Sequence, residues 1–192
     1  MGTTQPIKSI RELDALKDYY LTKKPNFRNY ALICTGVNTA LRIGDILNLK
    51  WDDVYDFKVN RFRSHIVVHE HKTGKENIIA PNKNVLYGLS LHKETLPNMQ
   101  PTHFIFAGRN YNSPLSRTQA FRIIKQACED LNLSGNISCH SLRKTFGYHA
   151  WISGINPAIL MVIYNHSSFQ VTKRYLGIEQ DDKDRVFLNM NL

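Results

Sequence analysis

Between His140 and Tyr175 the chain gathers side chains suited to phosphate chemistry. His140 and Arg143 stand in a His-Ser-Leu-Arg run, His166 precedes Ser167 and Ser168, and Tyr175 follows. A further arginine, Arg42, lies far upstream between Leu41 and Ile43. Guanidinium groups grip the nonbridging oxygens of a phosphodiester with paired, planar hydrogen bonds. Histidines donate hydrogen bonds or exchange protons near neutral pH. A tyrosine hydroxyl can attack phosphorus and remain bonded to it. Such a set could cut and rejoin DNA with neither metal nor ATP.

Each member also has a plainer reading. Arg42 and Asp45 could form an ordinary ion pair across one helical turn, and a charge in so apolar a run needs a partner if it is buried. His140 and Arg143, one turn apart, could be the polar face of a helix start. Asn165, Ser167 and Ser168 suit a capping loop around His166. Tyr175 is one of nine tyrosines, set apart by its distance from His166 and by the adjacent Lys173-Arg174 pair. Lys72 and Lys75 flank a Thr73-Gly74 turn. His69 and His71 alternate on a strand and point the same way, but no third ligand lies nearby in the sequence to make them a metal site.

The order and spacing of these groups resemble a known family. "HSLR" followed by "NHSSFQVTKRY", with nine residues from His166 to Tyr175, resembles the second conserved box of the tyrosine recombinases, the phage integrase family. "NTALRIGDILNLKWDDV", from Asn38 to Val54, is similar to the first box, and "HKTGKENIIAP", from His71 to Pro81, to the hairpin that carries the family's catalytic lysine. The resemblance covers about residues 9 to 178.

It implies Tyr175 as nucleophile, Arg42 and Arg143 as phosphate clamps, Lys72 as general acid, and His140 and His166 as hydrogen-bond or proton-transfer partners. Asp45 falls at the family's supporting acidic position. Lys75, Lys144, Lys173 and Arg174 are further candidates for DNA contact. The implied activity is site-specific recombination through a 3′-phosphotyrosine, by four protomers on two double-stranded DNA sites and without a cofactor; the protein is expected to be a monomer away from DNA. The alternatives are a non-catalytic DNA-binding protein of the same fold and strand relaxation of the type IB topoisomerase kind. Three positions depart from the pattern. Ala40 replaces the usual glycine before Leu41, Lys144 stands where histidine is common, and Asn165 replaces the glycine before His166. Asparagine tolerates the left-handed backbone that glycine supplies there.

Composition agrees with a polyanion partner. Across 192 residues, 25 Lys and Arg face 16 Asp and Glu, a formal charge of +9, which favours phosphate contacts with counterion release. Hydrophobic content of 42% suits a globular domain with a sizeable core. Three widely spaced cysteines, Cys34, Cys128 and Cys139, read as buried small hydrophobes in a reducing compartment. No apolar run reaches the length of a membrane span, and a cytoplasmic protein of bacterial, phage or mobile-element origin is expected.

The elements that must position these groups are mostly helical. Ser9 and Glu12 form a capping-box pattern before helical spacing at Ile10, Leu13, Leu16, Tyr19 and Tyr20. Further helices are predicted at 26–39, 42–49, 82–93, 116–131, 141–152, 157–164, 169–176 and 181–189. The fourth of these, 116–131, is expected to bury Phe121, Ile124, Ala127 and Leu131. Residues 59–81 alternate like two or three antiparallel strands around the Thr73-Gly74 turn, and 103–108 is a short strand or extended piece. The fold class is therefore mainly α with a small antiparallel β-sheet, the tyrosine-recombinase catalytic fold. A single catalytic domain spanning 1–192 is expected, without a separate N-terminal core-binding domain.

Overall fold

The computed structural model describes residues 4–71, 74–178 and 180–190, and for Gln180, Asp181 and Arg185 the backbone only. Lys72 and Thr73 lie outside the described residues.

Local capping starts most of the helices where the sequence places them. In α1 (Ile10–Asp18) the Ser9 hydroxyl accepts the Glu12 N–H at 3.3 Å. The other half of the expected capping box is absent, because the Glu12 carboxylate accepts the Ser134 hydroxyl at 3.1 Å instead. A π-helical turn, Tyr19–Lys23, follows and buries Tyr19 and Tyr20. Asn26 caps α2 (Phe27–Asn38), which is buried on nearly every side from Asn29 to Val37, the pattern of a helix inside a core. Its Leu32 belongs to a cluster with Trp51, Leu89 and Phe106, and its Ile33 and Cys34 to a second with Leu16, Ile124 and Leu142. Each fully buried Leu or Ile contributes about 1.5–3 kcal/mol, so α2 is the post on which both halves of the core hang.

Two short helices, α3 (Ile43–Leu47) and α4 (Trp51–Val54), lead into the strands. These form two separate ribbons: β1 (Tyr55–Asp56) with β2 (Arg61–Phe62), and β3 (Ile66–His69) with β4 (Glu76–Ile79), both antiparallel. In the second, Ile66 faces Ile79 and His69 faces Glu76. Inward Ile66 and Val68 alternate with outward Val67 and His69. Residues 103–108 make only isolated bridges, Lys50 to Phe104 and Ala107 to Pro114, rather than a strand.

The remaining helices are α5 (Lys83–Glu94), α6 (Arg117–Asp130), α7 (Cys139–Ile152), α8 (Pro157–Tyr164), α9 (Phe169–Leu176) and α10 (Gln180–Asn189). On α6 the buried face is Ala120, Ile124, Ala127 and Cys128. Phe121, expected inside, is exposed, and Leu131 is half-buried. Ile124 and Ala127 are buried as expected, while the small Ala120 takes the place expected of Phe121 and lets α6 approach the core closely. On α7, Gly36 of α2 abuts Leu142: a Cβ on Gly36 would lie 2.6 Å from that leucine's Cδ1.

The segment before α1 runs along α7. Ile7 donates its N–H to the Thr145 hydroxyl at 2.9 Å and accepts from His149 Nε2 at 2.9 Å. The start of α10 docks on the same side. Buried Asp182 accepts the Tyr148 hydroxyl at 2.7 Å and pairs with Lys8 at 3.1 Å. Beyond it, Val186, Phe187, Leu188 and Met190 are exposed.

Candidate active site

The turn between α2 and α3 presents Arg42. Thr39 returns its hydroxyl to the Thr35 carbonyl at 2.7 Å, Ala40 takes a left-handed backbone (φ 55°), and Leu41 plugs into the core. Arg42 is then thrown outward in an extended conformation as the N-cap of α3. Ala40 stands where the resembled pattern has glycine, and the positive φ is the physical reason for that preference, since a Cβ there costs about 1–2 kcal/mol.

Asp45 is not the partner of Arg42. The Arg42 Nη1 lies 2.5 Å from the carboxylate of Glu70, at the end of β3. Asp45 is buried in α3 and accepts the backbone N–H of His71 at 3.1 Å. The two side chains part because the Asp45 carboxylate turns to the His71 N–H and the Arg42 guanidinium to Glu70. A long-range pair thus stands where the plainer reading of the sequence allowed a local one.

Arg143 lies on the buried face of α7. Its Nη1 donates to the Ala40 carbonyl, and its guanidinium carbon stands 4.7 Å from the centre of the Tyr164 ring. The Tyr164 hydroxyl in turn donates to the Arg143 carbonyl at 2.7 Å. Tyr164 is therefore a platform for Arg143; burial raises its pKa and keeps it a neutral phenol.

Asn165 ends α8 at φ 54°, the left-handed position expected of it. His166 comes next, with Nδ1 3.0 Å from the Thr172 hydroxyl, so its Nε2 is the ring nitrogen left for a substrate. Burial first, then Arg143 and Arg42, lower its pKa and favour the neutral ring. Ser168 caps α9 by accepting the Val171 N–H at 3.3 Å.

Tyr175 stands in the last turn of α9. Its ring centre is 5.1 Å from that of His140 and 5.0 Å from that of His166, both edge-to-face, and 5.2 Å from that of Tyr164. Burial raises the pKa of its hydroxyl, and Arg143 and Arg42 pull against that rise. Beneath it lie Ala40, Leu160, Tyr164 and Leu176. Residues from the α2–α3 turn, α7, the α8–α9 loop and α9 thus meet around one phenol.

The outer basic residues divide. Exposed Lys75 donates to the Asn165 side chain at 2.6 Å, tying the hairpin to the His166 loop. Arg174 is exposed and Lys173 half-buried. Lys144, expected as a DNA contact, is buried: its Nζ donates to the Thr4 carbonyl at 2.6 Å and stands 5.4 Å from the Tyr175 ring centre. Its pKa is lowered by burial. Lys72 lies outside the described residues. His69 and His71 are exposed, and among the described residues no group of three or more His, Cys, Asp or Glu could hold a metal ion.

Glu70 and Thr172 were not singled out in the sequence. Glu70 had a signal: alternation that sends His69 and His71 outward sends the residue between them inward, and an inward carboxylate needs a buried partner.

The profile of the "Phage integrase family" matches residues 9–181. Over 184 residues the chain is 37% identical to "Probable integrase/recombinase YoeC" of Bacillus subtilis (strain 168), covering 94% of this chain and 93% of that protein. It is 25% identical over 171 residues to "Tyrosine recombinase XerA" of Pyrococcus horikoshii, covering 89% of this chain but 57% of that protein. Among solved structures, that of XerA recombinase superposes with a TM-score of 0.77 at 19% identity, over 99% of this chain and 68% of the other. A lambda integrase dimer bound to a COC′ core site superposes with a TM-score of 0.68 at 19% identity, over 92% and 49%. The fold and the converging residues define a tyrosine-recombinase catalytic domain. The chain belongs to the phage integrase family, whose members are site-specific DNA strand transferases. It spans little more than half the length of the Xer relative and nearly all of the Bacillus one. No described helix is long and apolar enough to cross a membrane.

Proposed function

We propose that this chain breaks and rejoins double-stranded DNA through Tyr175. Its Oη attacks the scissile phosphorus, the bond from phosphorus to the 5′ oxygen breaks, and a 3′-phosphotyrosine remains. Arg42 and Arg143 hold the nonbridging oxygens and stabilise the charge that builds on them, as fixed donors do in a preorganised site. The phenolic proton leaves toward His140 or His166. The neutral His166 ring donates from Nδ1 to Thr172, whose own hydroxyl donates to the Ser168 carbonyl, and so leaves Nε2 as an acceptor for that proton. Lys72 gives its proton to the departing 5′ oxygen. Attack by a partner strand's 5′ hydroxyl reverses each step, so bond energy is conserved without ATP.

The observation that carries this reading is the position of Tyr175: its phenol sits between two histidine rings and within the field of both arginines. A protein that only bound DNA would gain nothing from a nucleophile so placed. Partner and assembly follow from the same reading. Exposed Lys75 and Arg174 and the net charge of +9 suit the DNA backbone, and a homotetramer on two sites, monomeric away from DNA, is the working assembly. Exposed apolar side chains on α8 (Ile159, Val162) and α10 (Phe187, Leu188) supply surfaces for it.

The test is a pool of duplexes of randomised sequence, each nicked so that cleavage frees a short fragment that diffuses away. Wild-type protein should form a covalent adduct stable in detergent, and sequencing the trapped DNA defines the site. Tyr175→Phe keeps the ring and should bind that DNA without forming adduct. Adduct formed by Tyr175→Phe would move the nucleophile elsewhere.

A further inference from the structure

The hairpin of β3 and β4 ends in a joint whose chemistry the proposed reaction does not use. Inward positions on this edge run Ile66, Val68, Glu70, and the last is a carboxylate only 4% exposed. The Glu70 backbone belongs to the hairpin: its N–H donates to the Lys75 carbonyl at 2.9 Å, and its carbonyl accepts the Gly74 N–H at 2.8 Å. Its side chain belongs to the phosphate site, with the Arg42 Nη1 at 2.5 Å. Asp45 crosses the same joint in the opposite sense, from α3 to the His71 N–H. Two buried carboxylates therefore rivet the hairpin root to the start of α3.

We infer that Glu70 is a positioning residue for Arg42: its carboxylate holds one edge of the guanidinium so that the remaining N–H donors meet a scissile phosphate already oriented. An arginine side chain has several rotatable bonds, and ordering it opposes binding unless it is ordered beforehand. One N–H of Nη1 on Glu70 leaves four of the guanidinium's five N–H donors for an anion to approach. A carboxylate that merely filled the phosphate seat until DNA arrived would need water to retreat into. Glu70 is inside the protein, so it stays and orients. The arrangement opposes ground-state affinity, because a negative charge sits close to the phosphate, and favours the transition state, where an aligned fork matters most. It also places the clamp and the hairpin that bears Lys72 on one bond.

The inference rests on Arg42 as a phosphate clamp, and the experiment separates the two. On the nicked duplex recovered from the adduct pool, single-turnover cleavage and the Kd for the intact duplex are measured for wild type, Glu70→Gln, Glu70→Asp, Arg42→Lys and the Glu70→Gln/Arg42→Lys pair. Glu70→Gln should cleave about 10- to 100-fold more slowly with affinity equal or tighter, since a repelling charge has gone. Glu70→Asp, which keeps the charge on a shorter stem, should fall between. In the Arg42→Lys background, where no fork remains to orient, Glu70→Gln should slow cleavage no further. Cleavage by Glu70→Gln at or above the wild-type rate overturns the inference, as do parallel losses of rate and affinity or additive effects in the double variant. If Glu70→Gln does not fold, Glu70→Asp decides: slower cleavage at equal affinity supports the role, and an unchanged rate overturns it. Absence of any wild-type adduct would instead overturn the reading of the site, and this inference with it.

Discussion

Gly147, in the middle of α7, separates what helix propensity predicts from what packing predicts. Taken as a helix interior, Gly147→Ala should stabilise by roughly 0.8–1 kcal/mol. The structure predicts the opposite sign. A Cβ at Gly147 would fall onto the Leu176 side chain and within 2.5 Å of the Tyr164 hydroxyl. Both neighbours are buried, so neither can swing into solvent. Overpacking of this kind costs about 1–3 kcal/mol, and displacing the Tyr164 hydroxyl from the Arg143 carbonyl costs about 1 kcal/mol more. After the propensity gain, the net loss is about 1–3 kcal/mol. Leu176 adjoins Tyr175, and Tyr164 supports Arg143, so the same collision pushes the proposed nucleophile and a proposed clamp apart. A misplacement near 1 Å lowers the rate by about 10²-fold. Urea unfolding of the DNA-free protein reads the first effect, as a midpoint lower by about 0.5–1.5 M at an ordinary slope. Single-turnover adduct formation reads the second. A midpoint at or above wild type together with an unchanged adduct rate would refute the close contact between α7 and α9.

Lys72→Ala should slow cleavage by a factor on the order of 10² to 10⁴, and a 5′-bridging sulfur, which leaves without a proton, should restore the rate; if Lys75→Ala shows that rescue instead, the hairpin register is off by three residues. His92 is buried with Nε2 2.8 Å from the Ile105 carbonyl, and burial pushes its pKa down to about 4. The folded state then binds fewer protons than the unfolded one between the ordinary histidine value and 4, so stability is full above pH 6.5 and declines as pH falls toward 4, by about 3 kcal/mol as an order of magnitude. His92→Gln should flatten that acid limb in urea midpoints taken at pH 7 and 4.5, and an acid limb as steep as wild type would remove His92 as its cause. Deleting residues 184–192 keeps Asp182 on Tyr148 and removes exposed Val186, Phe187 and Leu188; binding to one site should survive while recombination between two sites falls, and recombination at the full rate would deny the tail a role in assembly.

Short-range physics made much of this protein legible from its residues. Ser9, Asn26, Asn82, Ser116, Asn156 and Ser168 each accept a backbone N–H just inside a helix, and capping depends only on the few residues that follow. The left-handed end at Asn165 was readable because asparagine replaces the glycine of the resembled pattern there and tolerates the same backbone. The candidate nucleophile Tyr175 and its neighbours His140 and His166 stood out because their spacing matches a family pattern, and membership of that family follows from the chain's own likeness to it. Pairings across the chain were not legible. Arg42 found Glu70, 28 residues on, and not Asp45, because the hairpin folds back over α3 and brings Glu70 to the guanidinium and the His71 N–H to Asp45. Lys144 is buried rather than on the surface because the segment before α1 lies over it. Phe121 is outside because small residues, not large ones, let α6 sit close to the core. Periodicity and capping are set by neighbours within one or two turns. Which charge meets which, and which face is covered, are set by the packing of elements distant in sequence, and only the folded chain decides them.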